Sequence, residues 1–396
     1  MSILNEDGKY ETVKLRPEDE LLLCCTRTDV NLEIKDKILS LVQDKLDWDY
    51  LLKLAFRHRL MPLLYLNLNS ICPELVPEDI LKELKDNFNA NVRKNLMLTG
   101  ELIKVLNLLE SEGIIAVPYK GPVLASMAYG NIGLRQFNDL DIFVKKDDVL
   151  TVKDLMISQG YQLVFNKINI SDSFYLKTQR ECLFVNKNNN VLVEIHWNSQ
   201  GPHISIKNDQ LLYNLNELIK ININSQNISS FSLGNLLLIL CLHNAKHDWE
   251  YLSWICDILG LIQANDINLL QVIEKATNLG IKRILFINLL LAEDIFELEL
   301  SDRVLYHVKS DSKAMTLSFQ IKKRIFNQKS LNIFEKSLFD LGKRENIINA
   351  LEDCIKSLTS PSYADFEDIS IPKLLFPLYY LIRPILLLKR YGKGSL

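Results

Sequence analysis

Residues 114–144 read IIAVPYKGPVLASMAYGNIGLRQFNDLDIFV, and the fold class turns on them. Ile114–Tyr119 is a short, continuous apolar run behind Gly113, which predicts a buried strand. Gly121-Pro122 puts proline in the first turn of a short helix that ends at Gly130. Asp139–Val144 predicts a second strand. A helix over 148–159 capped by Gly160 follows, then YQLVF, then two strands near 180–185 and 191–197. The connector between those two, Asn186-Lys187-Asn188-Asn189-Asn190, is a hairpin signal. Strand, helix, strand, helix and paired strands predict a small mixed sheet with helices on one face.

On both sides of this stretch the pattern is helical. Pro17-Glu18-Asp19-Glu20 opens a helix with proline at its start and acids at its positive end. ILSLV and WDYLLKLAF continue at helical spacing. Leu98, Leu102, Val105, Leu106 and Leu109 form one apolar stripe that Gly113 terminates. From about residue 232 long Leu- and Ile-rich runs resume. A chain of 396 residues exceeds one ordinary core. The expectation is an α+β protein, mostly helical overall. A small mixed-sheet core at 113–200 is flanked by an N-terminal helical region, 1–112, and a C-terminal helical domain, 201–396.

Composition narrows the class. Hydrophobic residues at 48% and charged residues at 24% match a globular, water-soluble chain. A formal charge of −3 gives no overall attraction to nucleic acid, so such a partner is not favoured. The seven cysteines form no C-x-x-C pair, and most sit in apolar runs such as LLLCC and LILCL, as reduced thiols do. MSILNEDGKYETVKL has no apolar core of signal-peptide length. A cytoplasmic location is expected. The apolar run Leu374–Leu388 is too short to span a bilayer. Lys373, Arg383, Lys389, Arg390 and Lys393 lie in or beside it. Docking on the core is favoured there over peripheral membrane contact.

Asp139 and Asp141 are two apart in a strand and project from one face. Aspartate is disfavoured in strands, and two such carboxylates repel unless a cation neutralises them. Oxygen ligands of this kind suit magnesium, with manganese as the alternative. In VLVEIHW, alternation puts Leu192, Glu194 and His196 on one face and Val191, Val193, Ile195 and Trp197 on the other. If the two strands are neighbours, the three carboxylates converge, which allows two ions to bind, one holding a triphosphate and one activating an acceptor oxygen for in-line attack. Lys120-Gly121, where the first strand meets a helix N-terminus, offers backbone N–H groups and charge for a polyphosphate. Arg135 stands four residues before Asp139 and could reach the same phosphates.

The run YKGPVLASMAYGNIGLRQFNDLDIFV, then VEIHW, then LCLHNAKHDWEYLSWICDI resembles the uncharacterised bacterial nucleotidyltransferases of the polymerase-β-like superfamily. AFRHRLMPLLY is similar to the family's helical leader. The resemblance implies a catalytic metal triad of Asp139, Asp141 and Glu194. Many superfamily members carry Gly-Ser at the phosphate turn where Lys120-Gly121 stands here, so no serine hydroxyl meets the phosphate.

HNAKHDWEYLSWICD is expected as one helix spanning His243 to Asp257. His243 and His247 share a face at a spacing that can bind zinc, but no glutamate base stands between them and no third ligand is evident. A packing helix and a helix that lays His243, Lys246 and His247 against the nucleotide are the other readings, the last preferred. The function expected is an ATP- or other NTP-dependent nucleotidyltransferase of EC 2.7.7 type. It moves an NMP to a hydroxyl or amine of a small-molecule or peptide acceptor and releases pyrophosphate. Two alternatives stand beside it. One is toxin-like nucleotidylation of a tRNA or protein. The other is a catalytically silent nucleotide-binding scaffold, ranked last because all three acids are present.

Overall fold

The computed structural model describes residues 3–4, 10–164, 172–198, 204, 206, 211–327, 333–369 and 371–391. The boundary expected at 200/201 and the basic residue Lys393 lie outside them. The architecture is α+β and mostly helical. Strands β1 (Ile3–Leu4) and β2 (Tyr10–Glu11) form a minimal antiparallel pair that sequence patterning did not suggest. Helices α1 (Pro17–Cys24), α2 (Leu32–Gln43), α3 (Trp48–Arg57), α4 (Met61–Ile71) and α5 (Glu78–Ser111) follow. Proline opens α1, and Asn31 and Asp47 cap α2 and α3 through their side chains. The stripe over 98–109 is one end of the 34-residue α5, which stops before Gly113 at φ +71°.

The sheet strands are β3 (Ala116–Pro118), β4 (Asp139–Val144), β5 (Tyr161–Leu163), β6 (Glu181–Asn186) and β7 (Leu192–His196). Helices α6 (Gly121–Tyr129), α7 (Val149–Ser158) and α8 (Asp172–Thr178) lie between them in the chain. The five strands are ordered β3-β4-β7-β6-β5. Only β4 and β7 run parallel; the other three pairings are antiparallel, so the sheet is mixed as expected. Gly130 and Gly160 end α6 and follow α7 with φ +64° and +87°, a backbone conformation that suits glycine.

A second hairpin, β8 (Ile219–Ile223) with β9 (Gln226–Ser230), lies within the region assigned to the C-terminal helical domain, just before its helical runs begin. Its signal was the alternation in IKINI and a two-residue turn. Asn224 and Ser225 both have positive φ, as that turn requires. Helices α9 (Leu233–Lys246), α10 (Leu252–Ala264), α11 (Leu269–Leu279) and α12 (Lys282–Phe296) follow, and six more described helices run from Asp302 to Tyr391.

The chain divides into two compact units that interleave in sequence. The first holds residues 1–100, 120–137 and 208–345; the second holds 101–119, 138–207 and 346–396. In the first, α6 packs closely on α10. A Cβ on Gly260 would fall 2.6 Å from the Ala128 carbonyl oxygen, so only glycine permits that approach. In the second, Leu140, Ile142, Val144, Cys182, Phe184, Val193 and Ile195 share one face of the sheet and are at most 1% exposed. At the far end of the β6–β7 hairpin, Glu101 accepts hydrogen bonds from Tyr161, from Asn186 at 2.7 Å and from Asn189 at 3.0 Å. The Asn-rich connector is therefore tied to α5.

The last helix, Tyr379–Tyr391, buries Tyr379 and Leu386. It leaves Leu381, Ile385 and Leu388 between 66% and 73% exposed, so only one of its faces docks. Arg383 and Arg390 pair with Asp365, which reduces the free basic charge read from the sequence. Among the described residues no helix is long and apolar enough to cross a membrane.

His58 is fully buried in the first unit, and its Nδ1 accepts a hydrogen bond from the Leu252 amide at 3.3 Å. Burial first, and the nearby Arg57 charge second, push its pKa down from 6.5 to about 4. The unfolded imidazole takes up a proton near 6.5 while the folded one does not until about 4. His58 therefore contributes fully above pH 6.5 and loses that contribution as pH falls to about 4, by about 3 kcal/mol. Urea unfolding of wild type and His58→Asn at pH 7 and pH 4.5 should show a smaller acid loss in the variant. Equal losses would remove His58 from the account.

Candidate metal and nucleotide site

Register brings the acids together. β4 and β7 lie side by side with Asp139 opposite Leu192, Asp141 opposite Glu194 and Phe143 opposite His196. β6 places Glu181 opposite His196. Because paired residues point to the same side, Asp139, Asp141, Glu194, His196 and Glu181 all belong to the face opposite the buried aliphatic layer.

Asp141, Glu194 and His196 each present a ligand atom within 4.8 Å of the others, the one such three-residue group among the described residues. His196 Nε2 is 3.2 Å from Asp141 Oδ1 and 3.3 Å from Glu194 Oε2. On the other ring edge Nδ1 is 3.3 Å from Glu181 Oε2. Burial alone would lower the His196 pKa, but the carboxylates of Asp141, Glu181 and Glu194 outweigh it and hold the value well above 6.5. Nε2 is buried and, despite its proximity to two carboxylates, is aligned for a hydrogen bond with no described residue. A buried nitrogen facing two carboxylates is a donor set that suits a divalent cation. Asp139 shares the face but stands outside the close group.

His196 and Glu181 are absent from the expected site. Alternation already put His196 beside Glu194; Glu181 needed the register of the hairpin.

The remaining expected residues belong to the first unit. Tyr119, the last residue of its segment in the second unit, donates its amide to the Asp141 carbonyl at 3.4 Å. Lys120 is next in the chain, at the N-cap of α6, and Gly121 begins that helix with φ +52°. Arg135, expected at the phosphates, is only 9% exposed. It donates from Nε and Nη2 to Asp257 at 3.0–3.1 Å, and the Tyr129 hydroxyl donates to the same carboxylate at 2.8 Å. Asn91 and Asn95 of α5 donate to the Arg135 carbonyl and to those of Gly133 and Ile132. A sequence with aspartate 122 residues away gave no sign of this pairing.

The single helix expected over 243–257 is two helices. Asp248 and Trp249 both have φ +54°, which breaks the helix between them and Leu252. The break persists because Trp249 is fully buried and donates to Asn288 at 2.9 Å, while Asp248 is gripped by Lys343 at 2.6 Å. His243 and His247 still share a face, their ring centroids 4.7 Å apart and both against Trp254. No three-ligand group among the described residues includes either one. Lys246 is exposed, and Arg59 stacks over Tyr251 at 4.3 Å nearby.

A family model described as "Uncharacterised nucleotidyltransferase" matches residues 44–297, which is well over half of the chain. Among curated proteins, no match is found.

Asp257→Ala should destabilise the protein by about 3–5 kcal/mol, because it strands the Arg135 guanidinium in a buried position without its partner. Denaturant unfolding reads this directly. An unchanged midpoint would show that Arg135 finds water or another acceptor.

Proposed function

Because the chain belongs to this uncharacterised nucleotidyltransferase family, we propose that it transfers a nucleoside monophosphate from a nucleoside triphosphate to an acceptor. The acceptor is a hydroxyl or amine of a small molecule or peptide, and pyrophosphate leaves. The observation that carries the reading is the pairing of Asp141 with Glu194 on adjacent parallel strands, around a buried nitrogen. The catalytic stretch is 113–200, with helical regions on either side in sequence.

Asp139, Asp141 and Glu194 hold the cation, magnesium or manganese. When bound, that cation neutralises charge on the triphosphate and lowers the pKa of the acceptor. Glu194 draws the acceptor's proton as its oxygen or nitrogen attacks the α-phosphorus. Lys120 and the Gly121 amide, at the N-terminus of the nine-residue α6, take up the charge of the departing pyrophosphate. Arg135 serves the same end indirectly, by fixing the loop that follows α6. His243, Lys246 and His247 are assigned to the nucleotide's phosphates or base.

The test is transfer of label from each triphosphate in the presence of cell extract, with pyrophosphate release read in parallel. Asp139→Asn and Asp141→Asn should each abolish turnover while the protein stays folded, since each removes a cation ligand. Near-normal turnover in either would overturn the triad.

Lys120→Ala should weaken triphosphate binding by roughly 1–3 kcal/mol, the range for a charge-assisted hydrogen bond. Gly121→Val should block it, because a branched side chain resists the +52° backbone angle and crowds the phosphate. Calorimetry giving wild-type affinity in both would move the phosphate site elsewhere.

A further inference from the structure

An all-oxygen cation site has no use for an imidazole, yet His196 sits at the centre of this one. It is 7% exposed. Its Nε2 faces Asp141 and Glu194 at 3.2 and 3.3 Å without the alignment of a hydrogen bond to either. Its Nδ1 faces a third carboxylate, Glu181, at 3.3 Å. The ring is steadied by the Tyr119 ring, edge-on at 5.7 Å. Register is what makes these side chains neighbours. Glu181 and His196 are register partners across an antiparallel pair, and Asp141 and Glu194 are register partners across a parallel one.

A neutral buried histidine kept only for packing needs a single acceptor. Here one nitrogen faces one carboxylate while the other points between two more. That division is what a metal-ligating histidine requires. One N–H is anchored to a carboxylate, which fixes the tautomer, and the opposite lone pair is aimed at the cation.

We propose that His196 Nε2 ligates the same divalent cation as Asp141 and Glu194, with Glu181 as the positioning residue that accepts the Nδ1–H. The proton on Nε2 leaves to solvent as the cation binds. The proposal rests on the cation site of the function given above, but it changes the metal. Magnesium is hard and prefers oxygen. A nitrogen ligand moves preference toward the first-row transition ions, and manganese is the member of that series closest to magnesium in chemistry.

The test uses the full-length protein and Mn2+ alone, without nucleotide. Pulsed EPR of bound Mn2+ should show 14N modulation from a directly coordinated imidazole. His196→Gln should abolish that modulation and weaken Mn2+ binding at least 10–100-fold, the loss typical even of a residue one step removed from the metal. Mg2+ affinity, read by competition, should change less. Glu181→Gln should keep the 14N signal and lose about 10-fold in Mn2+ affinity. Because the wild-type spectrum decides the ligand question by itself, misfolding of either variant leaves the test intact. Mn2+ that is bound, and is lost in Asp141→Asn, but shows no 14N modulation would overturn the histidine ligand and leave the proposed function standing. A 14N-coupled ion in a protein that turns over no triphosphate would support the ligand and overturn the function. No Mn2+ binding in the wild type would overturn the proposal.

Discussion

Two carboxylates abreast on neighbouring strands are the constraint around which the second unit is arranged. Asp141 and Glu194 bring ligand atoms within 4.8 Å of each other. At the effective dielectric of a partly buried site this repulsion is roughly 3–4 kcal/mol. A slip in register would separate the two acids. Slipping by one residue would turn Val193 and Ile195, both fully buried, out of the core and bring acids in. Burial of the aliphatic face thus fixes the register, and the register fixes the acids. The sheet's one parallel pairing sets them level, and the chain from α7 through β6 supplies the long connection that parallel pairing needs.

The first unit solves a different problem, that of holding an irregular stretch still. Residues 131–137 have no ladder of their own, so their carbonyls are taken by Asn91 and Asn95 and their arginine by Asp257. Asp257 also receives Tyr129 at the end of α6, and Asn265 holds the Met127 carbonyl. With Gly260 admitting the close approach of α10, the helix that begins at Gly121 is fixed at its far end. These interactions hold α6 and the loop after it in place.

Local periodicity carried much of the fold. DLDIFV, the capped helix before Gly160 and the Asn-rich hairpin were legible because each is a short-range pattern with its own punctuation. Parity alone set Glu194 and His196 on one face. What escaped was non-local. Glu181 joins the site through hairpin register, and the Arg135 guanidinium is held by an aspartate far along the chain. The break at Asp248–Trp249 escaped for the same reason. Nothing in HNAKHDWEYLSW stops a helix; the burial of Trp249 against Asn288 and the grip of Lys343 on Asp248 do. The β8–β9 hairpin was legible in IKINI and its turn, and was lost in a stretch otherwise rich in helical pattern.

Charge gives the last step. Around His196 stand three carboxylates, from Asp141, Glu181 and Glu194. With the imidazole protonated the four groups carry −2, and with it neutral they carry −3. Asp141 is buried, while Glu194 and Glu181 are partly open to solvent, so the cluster keeps like charges together at the edge of a dry core. Three carboxylates around one buried ring, on a strand face fixed by a dry core, form a group that could hold a cation.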